Sequence, residues 1–176
     1  MVNEGIIKEA LNAVYEKTGI MFSRENIIIV MTDEFRKNPF YNGYYAYGTK
    51  IYIRPSLFEI DEEKFRQIFQ NIKDVYSMTE DEFIKIKISQ SLSLIKEVII
   101  HEIGHWVHEL YFGSKGMHIG EAGGYARKNA KENFAVAFQQ YVEETLPAHN
   151  KRYQKMHKIL SVDIKNTHKW VRDHSA

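Results

Sequence analysis

Residues 101 to 105 read HEIGH, two histidines four apart with a glutamate directly after the first. On an α-helix, positions four apart stand one above the other on the same face, so two neutral imidazoles can reach one cation. Glu102 lies about 100° further round the helix. From there its carboxylate can hold a water on that cation and take its proton without being a ligand itself. This is the division of labour that metal-assisted hydrolysis requires. The ligand types favour zinc, although the same donors suit other divalent ions, with availability deciding among them. The competing reading, a metal-free helical interaction protein with a pair of core histidines, meets a physical objection. Leu94, Ile95, Val98, Ile99, Ile103, Trp106 and Leu110 make the surrounding segment strongly apolar. Burying two imidazoles and a carboxyl group there without partners costs several kcal/mol.

Catalytic zinc usually takes three protein ligands and leaves one position for water. A third histidine six after His105, preceded by a glycine three after it, would complete one common pattern; this chain has His108 and Tyr111 at those places instead. A ligand from a second helix remains, and the candidates are Glu121, Glu132, Glu143 and Glu144. Glu121 lies among glycines, where little fixes its orientation, and Glu143 and Glu144 sit beside the break at Pro147. Glu132 is better placed, in the first turn of a helix with small Ala135 three residues on, leaving room for close approach to the metal helix.

The elements that must position these groups follow from periodicity. A long helix is expected from about Ser91 to Phe112, stopped by Gly113, and a second from Ala130 to Thr145, closed by Pro147. Ile6, Ile7, Ala10, Leu11, Val14 and Tyr15 mark an amphipathic helix ending near Gly19. Residues 61–74 and 79–88 read as surface helices, and Tyr153, Met156, Leu160 and Ile164 to Trp170 as one or two terminal helices. The β-branched run Asn26 to Thr32 reads as a buried strand. From Phe40 to Arg54 the chain reads FYNGYYAYGTKIYIR, with a turn signal at Asn42-Gly43 and then one or two strands ended by Pro55. Its tyrosines fit a half-buried strand better than a substrate platform.

One domain is expected of 176 residues, 44% of them apolar and 27% charged. A net charge of +1 with no long block of either sign gives no support to a nucleic-acid or membrane partner. The absence of cysteine excludes disulfides, thiolate metal sites and a thiol nucleophile. The N-terminal segment has helical spacing and no signal-peptide pattern, so a cytoplasmic protein or a mature, leaderless secreted form is expected, as a monomer. His118, His149, His157, His168 and His174, like His108, show no spacing that demands a role and read as solvated or capping residues.

The stretch YARKNAKENFAVAF, Tyr125 to Phe138, together with HEIGH, resembles the gluzincin metallopeptidases that include the protease domain of anthrax lethal factor and the bacterial Pro-Pro endopeptidases. Members pair HExxH with a glutamate on a helix reading approximately E-x-F-A-x-A/S-F and carry a tyrosine seven residues before it. The resemblance covers His101 to His108 and Tyr125 to Phe138, with weaker likeness in the helices around them. It implies one zinc ion held by His101, His105 and Glu132, Glu102 as general base, and Tyr125 as hydrogen-bond donor to the oxyanion. It also implies an α+β zincin-like fold, a small mixed sheet packed on the metal helix with additional helices. In such enzymes the edge strand pairs with an extended substrate, a role that falls to the strand through Ile51 and Ile53. Two positions depart from the pattern: His108 stands where an acidic residue often supports the ligands, and Val136 where lethal factor has a second glutamate. A peptidase-like module that retains the metal without turnover is the alternative reading.

Overall fold

The computed structural model describes residues 2–46, 48–113, 117, 119–120 and 129–161. Helix α1, Glu4–Thr18, begins where the Asn3 side chain accepts the Ile6 amide and ends where Gly19 turns left-handed at φ 72°, returning its N–H to Tyr15. Ile6, Ile7, Ala10 and Val14 form its buried stripe. The isoleucine run then gives strand β1, Ile27–Ile29, shorter than the expected strand because Thr32 caps a five-residue helix, α2, at Asp33–Lys37. Strands β2, Gly43–Ala46, and β3, Lys50–Ile53, follow as an antiparallel hairpin. Pro55 opens a short 3-10 turn, Pro55–Phe58, and stops the strand.

The sheet is mixed, in the order β1-β3-β2, with β1 parallel to β3. Two expectations need correction here. Asn42-Gly43 is not a turn ahead of the strands: Gly43 is already in β2, and the chain reverses between Ala46 and Lys50. Nor is β3 an edge. Ile51 and Ile53 are 0% exposed and the strand has a neighbour on each side, so neither its side chains nor its main chain can receive a substrate. The edges are β1 and β2.

Helix α3, Glu62–Ile72, is capped by Asp61. Helix α4, Glu80–Phe112, is a single helix of 33 residues that begins with a capping box of Thr79 and Glu82. The sequence suggested two helices because Ser89 and Gln90 interrupt the apolar rhythm, but neither residue breaks a helix. Helix α5, Ala130–Val142, starts at Asn129, whose side chain accepts the Glu132 amide at 2.8 Å. Residues 151–161 are helical and fastened by Tyr141 Oη to His157 Nδ1 at 2.7 Å and by Lys17 Nζ donating to Tyr153 Oη at 3.2 Å.

The architecture is α+β, with α4 at its centre. The sheet packs on α4 through β2 and β3, and α1, α3 and α5 pack on other faces of it. The core joins Ile27, Ile51 and Ile53 to Ile95, Ile99 and Ile103 of α4 and Phe134 and Phe138 of α5. The opposite face of the sheet carries Tyr44 stacked on Tyr52, with Phe35 against Tyr44. No helix among the described residues is long and apolar enough to cross a membrane.

Candidate metal centre

His101 and His105 sit on the α4 face that meets α5, their ring centroids 4.9 Å apart. Glu132, in the first turn of α5, places Oε2 at 3.2 Å from His101 Nε2 and Oε1 at 3.3 Å from His105 Nε2. These are the described residues whose donors come close enough together, within 4.8 Å, for one metal ion. Among the other candidates for the third ligand, Glu143 accepts from Gln139 and Glu144 pairs with Lys17 at 2.7 Å, while Glu121 lies outside the described residues.

Glu132 Oε2 is buried and makes no hydrogen bond, despite its nearness to His101. A buried carboxylate oxygen left so costs free energy that a cation would remove. Burial pushes the Glu132 carboxyl up, but the adjacent imidazoles of His101 and His105 outweigh that and hold it at about 2, ready as a ligand. For His101, burial works against the charged ring, and the carboxylates of Glu132 and Glu102 reverse it to a net rise. The His-His-Glu cluster can therefore bind a metal ion.

Close approach of the two helices makes this geometry. A Cβ on Gly104 would meet Ala135 Cα at 3.0 Å and Ala135 O at 3.2 Å. Backbone thus packs on backbone one turn from Glu132, and small Ala135 does supply the room its size suggested. Gly104 carries its own signal in the sequence, since a glycine inside a strongly helical segment costs about 1 kcal/mol against alanine and so advertises a packing need. Gly43 plays the matching part on the sheet side: a Cβ there would lie 2.8 Å from Val98 Cγ1 and 3.0 Å from Glu102 Cγ. The Asn-Gly pair disguised it as a turn.

Glu102 is 6% exposed and lines the same cleft as the ligand triad. Burial raises its carboxyl above the ordinary range, the imidazoles of His101 and His105 oppose the rise, and the backbone amide of Tyr45 donates to it. The cleft, of about 650 Å³, is bounded on one side by Phe40 to Tyr45 and on the other by Lys131, Glu132 and Gln139. Arg54 N–H donates to Asn42 O at 2.9 Å, which makes 42 and 54 a hydrogen-bonded pair. Pairs alternate in an antiparallel ladder, so the main-chain groups of Gly43 and Tyr45 point away from β3, toward the cleft.

Tyr125 and His118 lie outside the described residues. His108 is not solvated: it is 1% exposed, its Nε2 accepts the Met117 amide at 3.2 Å, and its ring packs on Phe112 and Phe134. Burial first, then the neighbouring His105 and Lys131, lower its pKa to about 4. An unfolded histidine titrates at about 6.5, so between there and about 4 the unfolded chain binds a proton that the folded one refuses. Stability is therefore lost as pH falls through that window, by up to about 3 kcal/mol from this residue. Urea unfolding of metal-free protein across the window should show this slope, and His108→Gln, which keeps an acceptor for Met117, should lack it. Equal slopes in the two proteins would exclude the effect.

Comparison with family models, with curated proteins and with solved structures returns no match for this chain.

Proposed function

We propose that the chain is a zinc-dependent endopeptidase in which His101, His105 and Glu132 hold the metal and Glu102 is the general base. The observation that carries the reading is the Glu132 carboxylate set between two imidazole Nε2 atoms of a neighbouring helix, with one buried oxygen lacking a hydrogen bond. Zinc bound by such ligands supplies a water of lowered pKa and a Lewis acid for the scissile carbonyl.

The remaining steps fall to the chain's own groups. Glu102 takes the proton of the attacking water on a carboxylate oxygen and delivers it to the leaving amine. Its buried setting raises its proton affinity toward the working pH, where general acid-base catalysis is most efficient. An extended peptide laid along β2 meets the outward main-chain groups of Gly43, the Tyr45 N–H being given to Glu102, and such strand pairing favours internal positions of a chain over free ends. Tyr125 is assigned the oxyanion by the resemblance of its segment to gluzincins, and a phenol hydroxyl has the donor chemistry for that task.

Purified protein is expected to carry about one zinc per chain by elemental analysis, matching a single three-ligand site. Digestion of a peptide library, read by mass spectrometry, should show internal cleavages that a chelator abolishes and added zinc restores. Stoichiometric zinc without cleavage would instead establish a metal-keeping, non-catalytic module, and absence of zinc binding would overturn the whole reading.

A further inference from the structure

Metal-bound imidazoles ordinarily donate their second ring N–H to an acceptor that fixes tautomer and orientation. Here the two obvious places for such an acceptor are unsuited. Position 136, one turn after Glu132 on α5, is a valine. His108, three residues after His105, turns its Nε2 to the Met117 amide.

We propose that Gln139 is the positioning residue for His101, its Oε1 accepting the Nδ1–H of that ring so that Nε2 is presented to the metal beside Glu132. This rests on the metal-binding reading above.

Helices α4 and α5 run antiparallel at the site. His105 meets Glu132, His101 meets both Glu132 and Gln139, and Glu97 faces Glu143. Gln139 is seven residues, two turns, beyond Glu132, and so lies on the same face of α5. It lines the cleft with His101 and, in the antiparallel register that sets Gly104 on Ala135, lies across from that ring, with which its side chain interacts. The direction of its amide is set from behind, where Nε2 donates to Glu143 Oε2 at 3.1 Å. A primary amide that gives its NH₂ to Glu143 turns its carbonyl oxygen the other way. The His101 Nε2 already faces Glu132, which leaves Nδ1 for Gln139. The chain Glu143, Gln139, His101 thus performs the task that a carboxylate at position 136 would otherwise perform.

The test is zinc titration against a chromophoric chelator for wild type, Gln139→Leu and Gln139→Glu, with the metal-free melting temperature of each. Gln139→Leu, similar in size but without an acceptor, should bind zinc about 10- to 100-fold more weakly with little change in metal-free melting. Gln139→Glu, which restores an acceptor, should recover most of the loss. In zinc-loaded wild type the His101 Nδ1–H should give a slowly exchanging proton resonance that Gln139→Leu abolishes and Gln139→Glu keeps; a merely structural side chain would not move that signal. Unchanged zinc affinity and an unchanged resonance in Gln139→Leu would overturn the assignment while leaving the metal centre intact. A wild type that binds no zinc would remove the centre and this proposal together.

Discussion

Glu102→Gln is expected to keep its zinc and lose turnover by about 10²- to 10⁴-fold, the contribution of a well-placed general base. The amide is nearly the same size as the carboxyl it replaces and still accepts the Tyr45 amide, so the contact between β2 and α4 survives. Proton affinity is what disappears. Because Glu102 is not among the three clustered ligands, zinc affinity should stay within a few-fold of wild type. Steady-state kinetics on a peptide found in the library digest, alongside zinc content, makes the check. Wild-type turnover in this variant would end the assignment of Glu102 as base, whatever the metal content.

Glu132→Ala is expected to weaken zinc binding by more than about 10³-fold, since loss of an outer-shell partner alone costs 10- to 100-fold and this change removes a direct ligand. Gly104→Val provides the subtler version, because it leaves all three ligands in place. Its Cβ alone would press on the Ala135 main chain at 3.0 and 3.2 Å, and those atoms cannot yield without carrying α5 with them. Overpacking of this kind costs about 1–3 kcal/mol. Relief by sliding α5 falls on Glu132, one turn away, so zinc affinity should lie between wild type and Glu132→Ala. Calorimetric or chelator-competition titration of the three proteins gives the order. If Gly104→Val matched wild type, the helix spacing would not be what sets the ligand distance.

The chemistry was more legible in the sequence than the architecture around it. His101, His105 and Glu102 announce themselves because their spacing within one helix fixes their relative placement without reference to the rest of the chain. Glu132 could be ranked above its rivals by position in its helix, and the structure brings it to the imidazoles. What escaped depends on distant pairing. Whether β3 is central or an edge is decided by β1, more than twenty residues earlier, which lies parallel beside it. Nothing local to Ile51 and Ile53 records that neighbour. The continuity of α4 was missed for a different reason: a lapse in apolar rhythm marks a change in what the helix packs against, and only a proline or glycine would have marked an end. Gln139 was invisible because its role depends on the rotation of α5 about its axis, which only the contact with α4 reveals. Histidines ordinarily lie near water, and the burial of His108 follows from Phe112 and Phe134, which close over it from two helices and which its own spacing does not reveal.

The helix bearing the imidazoles is the one on which α1, α3, α5 and both hairpin strands rest. The part of it that is so enclosed, from Ile95 to His108, should not fray by itself, and its amides should exchange with solvent only when the whole domain opens. Ion capture at this place would therefore be felt as cohesion of the entire molecule, raising the melting of the whole domain together and not of one segment alone.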